Sequence, residues 1–159
     1  MAVEQYKDAI LNNFPVRIFE AMSVFVATYL CGCIISLYTD RYEYTGGAHG
    51  NTLRESQTWD LSQCGVTDLA TLVQCPPDFK TYTLAAVQDQ IENEPDIYFD
   101  NYQELITQTF NEDSFYVNKK GIVVYYQQYD IAPYSSGIRE FLLPYSNCVI
   151  NPKSSCSAS

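Results

Sequence analysis

Two short segments, residues 45–50 and 130–137, carry the residue types best suited to recognition chemistry. The first holds three glycines and His49, so it could offer backbone N–H groups and an imidazole to a partner. In the second, Pro133 fixes its own φ angle, which would present Tyr134 with little conformational entropy left to lose. The residues predicted to bind a partner are Tyr44, Gly46, Gly47, His49, Asp130, Pro133, Tyr134 and Ser135.

Each segment also has a purely structural interpretation. Three glycines permit a sharp chain reversal between two strands, with no ligand required. A proline-containing corner can equally turn Tyr134 inward as a packing residue. Both interpretations stay open at the level of the sequence, and they are compatible for residues 45–50.

The residues that could perform catalysis or bind metal form no specific pattern. No Ser or Cys signature of a nucleophile surrounds His49. Glycoside hydrolysis needs two carboxylates, but any acidic protein offers such pairs. Zinc sites combine short Cys pairs or histidines, and this chain has one C-x-C and one histidine. We therefore predict a non-catalytic domain without metal or cofactor.

Acidic residues are concentrated between residues 81 and 118, a stretch without Lys or Arg. The whole chain has a formal net charge of −10. Such a surface repels nucleic acid and attracts cationic proteins. The alternative is a solvated helix face that only keeps the protein soluble. The acidic residues of this stretch are Asp89, Glu92, Glu94, Asp96, Asp100, Glu104, Glu112 and Asp113.

Six cysteines are consistent with disulfides and an oxidising compartment. Cys64 and Cys75 flank one loop, and closing it would stabilise by about 3 kcal/mol in the chain-entropy model. Cys148 and Cys156 could fix the tail in the same way. Cys31 and Cys33 could bond each other, bond other partners or carry redox chemistry. Six cysteines allow 15 connectivities, so these pairings are hypotheses.

No segment approaches ~18 uninterrupted apolar residues, so we predict no membrane span in this chain. The first residues lack the basic and then apolar layout of a signal peptide. We expect an ectodomain fragment.

Periodicity and turn residues predict an α+β fold, an antiparallel β-sheet with two to three helices on one face. One face of residues 34–44 is polar and aromatic, which predicts partial exposure of that face. Gly32 suits the first hairpin turn, and Asp78 suits the N-cap of a helix. The predicted helices are residues 3–20, 79–93 and 101–109, with a short turn of helix within 62–75. The predicted strands are residues 23–30, 34–44, 52–60, 114–118, 122–129 and 137–143.

Two motifs resemble a known family. The first is YEYTGGAHGNT at residues 42–52. The second combines FYV at 115–117, GIVVYY at 121–126, YDIAPYSSGI at 129–138 and FLLPY at 141–145. Together they resemble the DUF3298 domain, which usually follows a DUF4163 segment. The resemblance implies a DUF4163-like end at residues 1–45, a DUF3298-like domain at 46–146 and a polar tail at 147–159, in one compact unit.

The resemblance also implies a function. The DUF4163–DUF3298 pair forms the outer part of RsiV-like anti-sigma factors, which bind lysozyme, and it occurs beside bacterial cell-wall deacetylases. We therefore expect an extracellular recognition domain that binds a basic cell-wall hydrolase such as lysozyme. Residues 45–50 and 130–137 are then the expected contacts. The alternative is an accessory domain in which Tyr42, Tyr44 and Tyr134 stack on peptidoglycan sugars. A cell-wall polymer hydrolase is the enzymatic alternative.

Overall fold

The computed structural model describes residues 2–14 and 19–155, which form an α+β fold, as predicted. The predicted single sheet is divided into two antiparallel sheets. The α-helices are α1 Ala2–Leu11, α2 Leu69–Leu72, α3 Phe79–Ile91 and α4 Tyr102–Gln108. The strands are β1 Glu20–Cys31, β2 Ile34–Tyr44, β3 Asn51–Asp60, β4 Gly65–Val66, β5 Phe115–Val117, β6 Gly121–Tyr126 and β7 Arg139–Pro144. Three 3-10 turns cover Pro95–Ile97, Tyr134–Ser136 and Pro152–Ser155.

The first sheet has the order β1-β2-β3-β4. Gly32 makes the β1–β2 turn with a φ of 60°, a conformation that glycine adopts without steric cost. Strand β4 pairs only with Trp59 and Asp60, so most of the outer edge of β3 is left without a strand partner. Strand β1 forms the other edge of this sheet.

The second sheet has the order β5-β6-β7, and its central strand β6 is buried along its whole length. Its β-branched and aromatic residues suit a strand that is covered on both faces. Helix α3 packs near β7, with Val87 and Ile91 fully buried. The N-cap Asp78 accepts a hydrogen bond from Thr81 N at 2.9 Å, as the sequence predicted.

Helix α1 is shorter than predicted. It ends at Leu11, and Asn13 then adopts a φ of 55°, the left-handed conformation that commonly terminates helices. Glu20 already belongs to β1, so the predicted helix over residues 3–20 is wrong at its C-terminal end. Pro15, which was expected to kink or end this helix, lies outside the described residues.

The polar and aromatic face of β2 is partly exposed, as predicted, at Tyr38, Asp40, Tyr42 and Tyr44, but it is buried at Ser36, where it packs against the second sheet. Ser36 is fully buried, hydrogen bonds with Thr58 Oγ1 at 2.8 Å and accepts from Val117 N at 2.9 Å. The polar groups on this face are tolerated because they are hydrogen-bonded to one another.

Arg54 joins the two sheets. Its guanidinium donates two bonds of 2.7 Å to Asp40 on β2 and a third to Glu140 on β7. The same group lies 3.8 Å from the ring centroid of Tyr38. The two carboxylates raise the pKa of Arg54 against the effect of its burial, and the residue stays charged.

The cysteine pairing differs from all three proposed pairings. Cys75 is bonded to Cys148, across 73 residues, so neither the Cys64–Cys75 nor the Cys148–Cys156 loop forms. Cys31 and Cys64 are free thiols, which also excludes a Cys31–Cys33 bond; Cys33 is itself disulfide-bonded. The physical reason is an antiparallel bridge between Val73 and Val149, which brings the two segments together.

Candidate functional site

The two segments singled out in the sequence meet at one surface. We call residues 45–50, between β2 and β3, the glycine loop, and residues 130–137, between β6 and β7, the proline loop. The imidazole of His49 stacks on the ring of Tyr134 with centroids 3.8 Å apart and planes 20° apart. This contact joins loops from two different sheets.

Tyr129 is the third ring of this cluster. Its hydroxyl lies 3.0 Å from His49 Nε2, and its ring centroid lies 5.8 Å from that of Tyr134. His49 Nδ1 lies 2.9 Å from the carbonyl oxygen of Gly50. A carbonyl oxygen only accepts, so Nδ1 carries a proton and donates it, and Nε2 is the ring nitrogen that faces the Tyr129 hydroxyl. We call His49, Tyr129 and Tyr134 the aromatic platform.

The outer side of the platform is exposed to solvent. His49 and Tyr129 are exposed, and Tyr134 is half-buried. Tyr129 has a φ of 69°, a strained conformation for a bulky side chain of the kind found at binding sites. Rigid, partly exposed aromatic rings supply large contact area at low entropic cost.

The glycine loop is held by two tyrosines of β2. Tyr44 donates its hydroxyl to the carbonyl oxygen of Gly47 at 3.0 Å. The Tyr42 ring covers Gly50, where an added Cβ would lie 2.2 Å from Tyr42 Cε2. Gly46 has a φ of 83°, so glycine is required there for conformational reasons. These contacts confirm the structural interpretation of this loop, and partner binding by it stays a prediction.

The proline loop closes through its own backbone. Pro133 precedes the 3-10 turn, its carbonyl accepts from Ser136 N at 2.9 Å, and Gly137 follows with a φ of 66°. Pro133 and Ser135 are exposed.

Asp130 has a structural role in this loop. Its half-buried carboxylate accepts from Gln127 N at 2.7 Å. Burial raises the pKa of Asp130, and the bond from Gln127 offsets this only in part. The side chain fixes the turn that leads from β6 into the platform.

Two glutamines that the sequence analysis missed place the loops side by side. The side-chain amide of Gln127 accepts from Arg54 N at 3.0 Å and donates to Arg54 O at 2.7 Å. Gln128 accepts from Thr52 N at 2.8 Å in the same way. The two side chains occupy the open edge of β3 as a neighbouring strand would. Tyr129 was also missed; its place directly before Asp130 in the second motif was the available signal.

The acidic stretch borders the platform through the proline loop. Phe99 N donates to Ile131 O at 3.1 Å, and Ser136 Oγ donates to Ile97 O at 3.3 Å. All eight acidic residues named above are exposed, among them Asp96 and Asp100 in the bordering segment. The platform thus has a negatively charged neighbour.

A separate cleft of about 1010 Å³ lies along β3. Its lining includes the carboxylates of Glu55, Asp68, Asp113 and Asp130, but neither His49 nor Tyr134. The cleft and the platform are therefore two different surfaces. Within residues 2–14 and 19–155, no helix combines the length and apolar character needed to cross a membrane.

Comparison with protein families divides the chain into two parts. Residues 75–146 match the family model DUF3298, described as a protein of unknown function. Residues 1–52 match the model of deacetylase PdaC. No curated protein matches the chain.

Two solved structures share the fold. A DUF3298 family member from Bacteroides fragilis superposes with a TM-score of 0.65 at 22% identity, over 89% of this chain and 58% of that chain. A DUF3298 family protein from Pseudomonas aeruginosa superposes with a TM-score of 0.61 at 17% identity, over 95% of this chain and 66% of that one. This chain thus spans about 60% of the length of these proteins. The proline loop and all of β5, β6 and β7 lie within the range that matches the DUF3298 model.

Proposed function

We propose that this chain is a non-catalytic, extracellular recognition domain that binds a basic cell-wall hydrolase such as lysozyme. The main observation in support of this proposal is the stack of His49 on Tyr134, which brings two loops together in one exposed surface. Residues that converge from separate sheets form a pre-organised platform, and pre-organisation lowers the entropic cost of binding.

The charge distribution supports a cationic partner. The chain carries a net charge of −10, and the acidic segment around Asp96 and Asp100 borders the proline loop. Such a field accelerates the encounter with a basic protein and weakens with added salt. Lysozyme-type hydrolases are strongly basic, and the family resemblance implies the same partner.

The disulfide bond supports a location in an oxidising compartment. The Cys75–Cys148 bond is a structural disulfide between two buried segments. Such bonds persist mainly in secreted and cell-surface proteins. We place the domain outside the cell, with residues 1–45 as the end of a DUF4163-like segment in an RsiV-like arrangement.

Calorimetric titration with lysozyme at low and moderate salt tests the proposal. We expect a complex whose affinity falls as salt rises. Asp96→Asn with Asp100→Asn should weaken it more than Asp89→Asn with Glu92→Gln, which removes the same charge from the α3 end of the acidic stretch. No heat and no complex at either salt would remove the lysozyme assignment.

A second candidate is an accessory domain that binds peptidoglycan sugars. The match of residues 1–52 to a deacetylase model favours it, and the rings of Tyr129 and Tyr134 could stack on sugar faces. Retention on purified cell wall that is insensitive to salt and lost in Tyr134→Ala would support this function. A chain that passes through the cell-wall fraction unretained would rule it out.

A further inference from the structure

The free edge of β1 is a long apolar strand with no covering element among the described residues. From Glu20 to Ala27 every residue is exposed, including Met22 at 59% and Phe25 at 75% of their surface. No charged residue or proline occurs between Ala21 and Cys31. Natural edge strands usually carry such residues to prevent pairing with another chain.

The hydrogen-bonding pattern identifies the backbone groups on this edge. Arg54 directs its N–H and C=O away from β2, towards Gln127. Hydrogen-bonded and non-hydrogen-bonded pairs alternate along an antiparallel ladder. Followed across β2 through its register, this alternation points the N–H and C=O groups of Met22 and Val24 towards β2. The backbone groups that point outward, away from β2, are therefore those of Ala21, Ser23, Phe25 and Ala27. A bulge between Ala27 and Tyr29 ends this flat section.

Residues 21–27 of β1 can pair with the same residues of a second copy. About Val24, the sequence Ala-Met-Ser-Val-Phe-Val-Ala at residues 21–27 places Ala opposite Ala and Met opposite Val, and it departs from symmetry at Ser23 and Phe25. If two copies pair antiparallel around Val24, Ser23 faces Phe25 of the other copy and Ala21 faces Ala27. These four residues are the ones whose N–H and C=O groups point outward, so the backbones of the two copies can hydrogen-bond to each other. Val24 then faces Val24, and the acidic Glu20 faces the uncharged position 28, so no like charges oppose one another.

We propose that β1 pairs with β1 of a second copy of this chain, around a two-fold axis at Val24, and joins the two four-stranded sheets. A two-fold contact of this kind uses the same surface on both subunits and closes on itself. The flat section spans about 24 Å at the rise of an antiparallel strand. An interface of this length lies at the small end of stable interfaces, so the dimer forms reversibly.

Sedimentation velocity on the full chain, from about 1 μM to about 1 mM, tests the association. The sedimenting mass should rise towards twice the monomer mass with concentration. Val24→Lys should leave a monomer throughout, because two charges would face each other. Leu53→Lys, at a comparably exposed apolar site on β3, should still dimerise. A wild-type monomer at every concentration, or a dimer that survives Val24→Lys, would overturn the proposal.

Oxidative cross-linking tests the register and does not depend on how Val24→Lys folds. With the free thiols removed as Cys31→Ser and Cys64→Ser, Val24→Cys should form a covalent dimer. Directly opposed residues of a non-hydrogen-bonded pair lie ~4.5 Å apart, within disulfide reach. Ser23→Cys should cross-link poorly with itself but efficiently with Phe25→Cys chains. Efficient Ser23→Cys homodimers without Val24→Cys dimers would refute the two-fold axis at Val24.

Discussion

His49 stacks on Tyr134 although 85 residues separate them, and the stack links a hairpin of one sheet to a loop of the other. The contact depends on the two sheets keeping their relative position. Arg54 and the glutamine side chains at the edge of β3 hold that position, so the platform can be altered from a distance as well as directly.

Arg54 should be among the most sensitive positions for stability. Arg54→Ala leaves the carboxylates of Asp40 and Glu140 facing each other without their cation, and it should cost about 3–5 kcal/mol. Urea unfolding measures this. Arg54→Lys should recover only part of the loss, because an ammonium group cannot bond both Asp40 oxygens in a planar fork. A loss below 1 kcal/mol in Arg54→Ala would show that the ion pairs do not hold the sheets together.

Removal of the Cys75–Cys148 bond should destabilise the fold. The bond closes a loop across 73 residues, and the chain-entropy model predicts a loss of about 4 kcal/mol for Cys75→Ala with Cys148→Ala. Urea unfolding without reductant measures this loss. The exposed free thiol of Cys64 supplies the control, because Cys64→Ala should change the stability by less than about 0.5 kcal/mol. Equal stabilities of the two variants would contradict the assigned pairing.

Gly50 should be required for the shape of the glycine loop. In Gly50→Ala the new Cβ would occupy the position of the Tyr42 ring, so we expect a loss of about 1–3 kcal/mol and a displaced loop. Gly47→Ala is the matched control, because its nearest neighbour would be 3.9 Å away. Thermal unfolding of both variants measures the difference. Similar melting temperatures would indicate that the Tyr42 ring moves aside freely.

Asp130 should make stability depend on pH in a defined direction. Its pKa is raised in the fold, so the native state binds more protons than the unfolded chain above pH 3.8, the ordinary value. Its contribution is therefore largest below that value and is lost as pH rises through the folded pKa. Asp130→Asn keeps an acceptor for Gln127 and does not titrate. Relative to wild type, its free energy of unfolding should increase from pH 4 to pH 7, as measured in urea; a decrease would contradict the sign.

Local patterns were sufficient to predict most elements. Strand β2 has the predicted bounds, the β1–β2 turn is at Gly32, and Asp78 caps α3. These features depend on residues close in sequence, whose conformational preferences act directly. Helix α1 is the exception, because Asn13 was not recognised as a helix end.

Features that depend on residues far apart in the sequence were harder to predict. The Cys75–Cys148 bond depends on the bridge between Val73 and Val149, which no local pattern encodes. The burial of Ser36 on the polar face of β2 depends on a second sheet that hydrogen-bonds to it. The two loops selected from the sequence lie in contact through His49 and Tyr134. The hydrogen bond from Gln127 to Arg54, which joins the segments that lead into the two loops, became visible only in the fold.

The affinity of platform variants for lysozyme tests the central proposal most directly. Calorimetric titration of Tyr134→Ala at low salt should show affinity reduced by about 2 kcal/mol, roughly 30-fold, since rigid aromatic anchors dominate many interfaces. Tyr6→Ala, an exposed tyrosine on α1, should bind like the wild type. Wild-type affinity in Tyr134→Ala, or an equal loss in Tyr6→Ala, would contradict recognition by the His49–Tyr129–Tyr134 platform.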